Sequence, residues 1–287
     1  MKTFKQFEHT EKTLMIVDGL NLAFRFYHAK TRDFAEDYLR TVESLAKSYK
    51  AQYIIIAADQ GSSNYRKAIY PEYKQNRKDK YEKQTEIEKL EFELFFEDFA
   101  ATLELLQKHY TVLRFPGVEA DDIAAYIVNK KHRLGLDQIW LISSDKDLDL
   151  LVKPGVSRFS YVTRKETTWE TWNNHYTFEP EQYIHIKCLT GDTGDNVPGV
   201  AGIGPKRAQQ LVEEYGTTWD IINSIPLHGK YKYIETLNQS KQQLELNYQL
   251  MDLVTYCSDA IGAEYCKHID QTLELCLKQL SAEQPIV

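Results

Sequence analysis

The chain of 287 residues is long enough to bury one large core or two modest ones, and its 43% hydrophobic and 27% charged content is ordinary for a water-soluble globular protein. Leu14–Val17 is too short for a signal-peptide core and Tyr53–Ala58 cannot span a bilayer, so a protein of the cytoplasm (of the host cell, if viral), with no membrane partner, is expected. A net charge of −7 argues at first sight against a polyanionic ligand, and four cysteines (Cys188, Cys257, Cys266, Cys276) without a CxxC pair or partner histidine read as packing thiols, which argues against zinc chemistry.

In chain order, four β-rich apolar runs each lead into acid. Leu14–Val17 ends at Asp18, and Tyr53–Ala58 ends at Asp59. Thr111–Phe115 leads through Pro116-Gly117 to Glu119, Asp121 and Asp122, and Ile139–Ser143 leads to Asp145. Between them, apolar residues recur three and four apart: Phe34, Tyr38, Val42, Leu45 and Tyr49, then Phe92, Phe95, Phe99, Leu103 and Leu106. That spacing predicts helices with one apolar face. Strands alternating with helices predict an α/β fold with a mostly parallel central sheet flanked by helices. Ligands of such sheets bind beyond the carboxyl ends of the strands, where these acids stand. From about residue 175 the strand pattern stops. Short helical segments separated by glycine and proline follow, which predicts a core over 1–175 and a helical region over 176–287 packed on it, with a polar tail from about Ser281.

Charge is unevenly placed. From Tyr65 to Lys83, seven Lys/Arg stand against three acids. Elsewhere the acids mass: Asp18, Asp59, Glu119, Asp121, Asp122, Asp145, Asp147, Asp192 and Asp195. Any one of them is explained as a helix or turn cap. Nine in register call for cations, and oxygen ligands without Cys or His select Mg²⁺ or Mn²⁺. Without these nine, 33 acids face 35 bases, which removes the charge objection.

Val197–Ala208 reads as helix, glycine hairpin, helix. Pro205 suits a first helical turn, and Lys206 and Arg207 would then stand at a helix N-terminus. The macrodipole disfavours cations there unless an anion binds beside them; the alternative is a tight turn with solvated charges. Tyr70–Arg77 opens the basic segment and by charge alone could equally be a solvated helix start.

Together Gly117-Val118-Glu119-Ala120-Asp121-Asp122, Ser144-Asp145-Lys146-Asp147, Gly191-Asp192-Thr193-Gly194-Asp195-Asn196, the glycine hairpin and Tyr73-Lys74-Gln75-Asn76-Arg77 resemble the 5′ nuclease family. That family includes polymerase I 5′-3′ exonuclease domains and flap endonucleases, and the resemblance covers about residues 12 to 260. A stand-alone chain of this length looks most like the flap endonucleases of tailed bacteriophages. The resemblance implies a PIN-like sheet domain and a two-ion Mg²⁺ site in which Mn²⁺ substitutes. Asp18, Asp59, Glu119 and Asp121 would lie around one ion and Asp145, Asp147, Asp192 and Asp195 around the other, with Asp122 at the edge. It further implies Lys74 and Arg77 on the scissile phosphate, Tyr73 stacked on a base and Arg25 on another phosphate. An arch at about 70–106 would take a single-stranded 5′ arm. A helix–hairpin–helix at about 183–216, with Gly202, Gly204, Lys206, Arg207 and a potassium ion, would hold the duplex. Ser143-Ser144 stands where the family often has glycine before the aspartate, and no ligand depends on it.

The expected activity is hydrolysis of DNA near the junction of a 5′ flap and duplex, with 5′-3′ exonuclease activity, by a monomer. Two other readings compete. A phosphatase with an aspartate nucleophile after its first strand needs a second acid two residues on, and Asp18-Gly19-Leu20 supplies none. A non-catalytic DNA-binding module would use the hairpin and the basic segment but has no need of nine acids.

Overall fold

The computed structural model describes residues 11–282, with side chains up to Cys276. In chain order the first part contains β1 (Thr13–Asp18), α1 (Gly19–His28), α2 (Ala35–Ser48), β2 (Tyr53–Ala57), α3 (Asn64–Ile69), α4 (Gln75–Glu82), α5 (Glu86–Leu106), β3 (Thr111–Leu113), α6 (Ala120–Asn129), β4 (Gln138–Ile142), β5 (Val156–Ser160) and β6 (Lys165–Thr167). The second contains α7 (Tyr183–Thr190), β7 (Gly191–Asp192), β8 (Val197–Pro198), α8 (Pro205–Tyr215), α9 (Thr218–Ser224), α10 (Lys232–Asn238), α11 (Lys241–Met251), α12 (Leu253–Ile261) and α13 (Ala263–Ala282).

The main sheet has the order β3-β2-β1-β4-β5-β6. Its first five strands are parallel, and β6 returns antiparallel on β5. This is the expected mostly parallel sheet flanked by helices. Alternate residues of β1 face opposite layers: Leu14 and Ile16 pack with α6, α12 and α13, whereas Met15 and Val17 pack with α1, α2 and α5. Burial on both faces explains why the strands read as continuous apolar runs. The chain crosses over at β1, with β2 on one side and β4 on the other, so the carboxyl ends of β1, β2 and β4 open on a single crevice.

Of the helices after 176, α12 and α13 place Leu253, Cys257, Ile261, Ile269 and Leu273 in the cluster under the sheet, whereas α7 to α11 share a cluster of their own. Three points differ from the sequence reading. Strands do not stop at residue 175, because β7 and β8 pair as a short antiparallel ribbon. The stretch expected to form an arch divides; α4 buries nothing, whereas Phe95, Phe99, Leu103 and Leu106 of α5 are core. Finally, α13 continues through Ser281 to Ala282, and the expected polar tail past it lies outside the described residues.

Candidate active site

Several acids are fixed by backbone donors at element ends. Asp18 closes β1 and caps α1, its Oδ1 accepting from Asn21 N at 3.1 Å. Its Oδ2 accepts from Ser143 Oγ at 2.9 Å, which ties it to the end of β4. Asp59 Oδ1 accepts from Ala120 N, the first residue of α6, at 2.6 Å. Asp145 caps the 3₁₀ turn 146–151 by accepting from Asp147 N at 2.9 Å. Asp192 Oδ1 accepts from Gly194 N at 2.8 Å and Asp195 N at 3.2 Å. Capping and a site role are therefore compatible. In Asp59 and Asp145 the cap uses one oxygen and leaves the other without a hydrogen bond among the described residues.

The acids fall into three sets. In the first, Asp121 accepts no hydrogen bond among the described residues. Burial, with the charges of Asp145, Asp18 and Asp59, raises its pKa well above the carboxylate range. Burial and the neighbouring Asp59 push Asp18 up to about 7, and burial raises Asp59 as well. No described side-chain cation is bonded to the carboxylates of Asp18, Asp59, Asp121 or Asp145; Arg114 Nε donates at 3.3 Å to the backbone carbonyl of Asp59 instead. In the second set, Lys187 of α7 donates to Asp147 and, at 3.0 Å, to Asp192 Oδ2. Burial still lifts Asp147 to about 6 despite Lys187. Burial acts on Asp192 too, but Lys187 and two backbone N–H groups hold it below its ordinary value.

In the third set, Lys74 Nζ donates to Glu119 Oε1 at 2.7 Å, while Arg66 and the Tyr73 hydroxyl donate to Oε2 at 3.0 and 3.1 Å. The single Tyr73 hydroxyl proton is shared between Glu119 and Asp195 Oδ2, the latter at 2.8 Å, and Arg77 donates to the other oxygen of Asp195 at 2.7 Å. Burial works against the charge of Glu119, yet Lys74 and Arg66 keep its pKa below the ordinary value. Lys74 is raised, because Glu119 and Asp195 outweigh its own burial.

Glu119 and Asp195, assigned to different ions, share one tyrosine donor, and Asp145 sits electrostatically between the Asp18 set and Asp147. Asp122 lies outside the open cluster. It is fully buried, and both its oxygens accept from Arg66, at 2.6 and 2.7 Å. Arg66, counted in the basic segment, is itself only 3% exposed and makes this ion pair. Tyr73, expected to stack on a base, is also 3% exposed. Arg25 is not among the acids; it donates to Thr41 Oγ1 at 3.2 Å and lies 4.2 Å from the centroid of the Tyr161 ring.

Lys187 escaped the sequence reading. Its signal was a lone lysine inside the apolar run Ile184–Leu189, where a buried cation needs acids. The ribbon β7–β8 carries Asp192 and Asp195 straight into the glycine hairpin. A Cβ on Gly199 would lie 2.1 Å from Thr190 O, so only glycine permits this crossing. Gly202 has φ 85°, Gly204 caps α8, and Pro205 occupies its first turn as expected. Lys206 is exposed, whereas Arg207 folds back to donate to Gly202 O at 2.5 Å and lies over the Tyr233 ring at 4.6 Å.

The donors suit a divalent cation. Buried, mutually repelling oxygens with no bonded cation in the Asp18 set are what a hard ion relieves. No three Asp, Glu, His or Cys side chains among the described residues stand close enough together to hold one. A potassium ion in the hairpin fits less well, because Arg207 already occupies the Gly202 carbonyl.

Residues 13–180 match the N-terminal resolvase-like domain of the 5′-3′ exonuclease family, and residues 178–272 match its C-terminal SAM-fold domain. The flap endonuclease of Escherichia phage T5 is 46% identical over 256 residues, 88% of each chain. A 5′-3′ exonuclease of Aquifex aeolicus is 30% identical over 253 residues, 85% of this chain and 82% of its own. The bacteriophage T5 flap endonuclease in a pseudo-enzyme-product complex with DNA and metal ions superposes with a TM-score of 0.89 at 43% identity, over 93% of this chain and 100% of that one. With both domains matched in order around the same sheet, the chain belongs to the 5′-3′ exonuclease family and is a nuclease of the flap-endonuclease kind.

Proposed function

We propose that the protein, as a monomer in the cytoplasm, hydrolyses a DNA phosphodiester at or near the junction of a single-stranded 5′ arm and duplex, and trims 5′ ends. The observation that carries this reading is the meeting of Lys74, Tyr73 and Arg77 with Glu119 and Asp195 beside carboxylates that have no bonded cation among the described residues. That meeting supports a site in which the cations would face a phosphate and the acids would bind metal. Among the described residues no helix is long and apolar enough to cross a membrane.

Two Mg²⁺ ions, with Mn²⁺ as substitute, would supply Lewis acidity on the phosphate and a water of lowered pKa. Asp18, Asp59, Asp121 and Asp145 would hold the first, joined by Glu119 when Lys74 leaves it. Asp147, Asp192 and Asp195 would hold the second in competition with Lys187. Lys74 and Arg77 exchange carboxylate for phosphate as DNA enters, and stabilise charge that grows on its oxygens in the transition state. The Tyr73 hydroxyl positions Glu119 and Asp195; stacking on a base requires that it leave them. Lys206 at the start of α8 contacts a duplex phosphate, with Gly202 and Gly204 allowing close approach and Arg207 bracing the hairpin. The arm passes at α4 and the first half of α5.

The test is incubation of 5′-labelled flap, nicked duplex and single strand with Mg²⁺ or EDTA. Cleavage at the flap junction that needs the metal is expected. Cleavage in EDTA, or equal cutting of all three DNAs, rejects the reading.

A further inference from the structure

The backbone ladder between β1 and β4 ends at Val17 opposite Ile142, and the next residues along the two strands are Asp18 and Ser143. Side chains take over the pairing there. Ser143, only 2% exposed, donates from Oγ to Asp18 Oδ2 at 2.9 Å and accepts on the same oxygen from Asp145 N at 3.0 Å. Asp145 Oδ1 in turn accepts from Asp147 N at 2.9 Å. A hydroxyl has one proton and two lone pairs, so this single group can link the acid that closes β1 to the acid that opens the 3₁₀ turn 146–151.

The backbone of Ser143 is clamped independently of that hydroxyl. Its N–H donates to Phe159 O at 3.1 Å, and its carbonyl accepts from Arg158 Nη1 at 3.1 Å. Arg158 is itself fixed by Asp149, with Nη2 donating to Oδ2 at 2.8 Å. Deleting the hydroxyl therefore leaves the strand end in place and releases only the acids. Asn21 adds a second stitch: its N–H donates to Asp18 Oδ1 at 3.1 Å, and its Oδ1 accepts from Ser144 N at 2.8 Å. With a donor on each oxygen, the Asp18 carboxylate cannot rotate without breaking a bond. Asp18 and Asp145 feel each other's like charge, so without the bridge they are free to swing apart.

Resting on the metal-dependent reading above, we propose that Ser143 is a positioning residue for the first ion, its hydroxyl presetting Asp18 and Asp145 before the ion arrives. Ser143 thus acquires a role where the sequence expects none. Hydrogen bonds to the ligands of a metal set its affinity, because they remove the cost of orienting each carboxylate. Ser143→Ala and Ser143→Cys, the latter close in size to serine but only a weak donor, are titrated with Mn²⁺ alone, without DNA. The bound ion is read from the loss of the free-ion electron paramagnetic resonance signal. Kd for the tighter ion should rise roughly tenfold in both variants. Ser160→Ala is the control: Ser160 is buried on β5 and bonds Ser144 Oγ and Thr163 N but no acid, so its removal should leave Kd unchanged. Raising Mg²⁺ should restore the single-turnover cleavage rate of either Ser143 variant, since the chemistry is untouched once the ion is held. Circular dichroism checks folding, and if Ser143→Ala fails that check the cysteine variant decides. An unchanged Kd overturns the proposal, as does an equal rise in Ser160→Ala or a rate loss that persists at saturating Mg²⁺. Wild-type protein that takes up no Mn²⁺ rejects the metal reading as well, so the two failures are told apart.

Discussion

Lys74 donates from Nζ to Glu119 Oε1 at 2.7 Å while its own backbone sits in the left-handed region at φ 57°. A residue with a Cβ is disfavoured there by about 1 kcal/mol or more. The conformation is held by its N–H on Asp195 O at 2.9 Å and by the neighbouring Tyr73 hydroxyl on Glu119 and Asp195. Strain of this kind persists where the surroundings over-determine a position, and here it aims an ammonium into a cluster of carboxylates.

Removing that ammonium should affect chemistry more than binding. Lys74→Ala is expected to lower the single-turnover rate by about 10²–10³-fold, the scale for losing one transition-state donor. DNA affinity should change by no more than about threefold, because phosphate contacts elsewhere persist. Equal losses in rate and affinity would remove the transition-state role.

The Arg66–Asp122 pair leads to a different outcome. Arg66→Met leaves Asp122, which is fully buried, without its cation, at a cost of about 3–5 kcal/mol in urea unfolding. Asp122→Asn should likewise lower stability while leaving the Mg²⁺ concentration for half-maximal activity unchanged. A large shift in that concentration would return Asp122 to the metal ligands.

Stability should depend on pH with a sign set by the open acids. Asp18 titrates near 7 and Asp147 near 6 in the folded chain, against 3.8 as the reference for both. Between those values the folded state binds more protons than the unfolded one, so stability falls as pH rises through the window. Glu119 and Asp192, held below their ordinary values, act in the opposite sense only at more acid pH. Thermal melting in EDTA should therefore give a lower Tm at pH 7.5 than at pH 5. Mg²⁺ binds the ionised carboxylates and should raise Tm more at pH 7.5. A Tm that climbs with pH in EDTA contradicts this.

Lys206 is exposed at the start of α8 and free of any carboxylate among the described residues. Lys206→Glu should weaken binding to duplex-containing DNA and flatten the dependence of log affinity on log salt by about one unit. An unchanged salt slope counts against a phosphate contact there.

The sheet and its helices were legible because their determinants are local. The apolar run at Leu14–Val17 lies in β1, all but the last residue of Tyr53–Ala58 forms β2, and the three-and-four spacing of Phe34 to Tyr49 spans α2. Acids at strand ends also announced themselves, since a strand that stops at aspartate leaves both chain direction and charge in the sequence. Pro205 after a glycine hairpin marked the start of α8 for the same reason.

What the sequence by itself determined, then, was the α/β architecture, the acids gathered at strand ends and the string of residues that places the chain among 5′ nucleases. Which cation meets which acid was decided only by the tertiary structure. Arg66 and Arg77 stand in one basic segment, yet one is buried against Asp122 and the other reaches Asp195 from the surface, 118 residues away. Lys187 satisfies acids on both sides of it in the chain, and Tyr73 joins Glu119 to Asp195. Local periodicity carries no information on such distances. Burial does the sorting, because a desolvated charge must find its partner within the fold while an exposed one can wait for a phosphate.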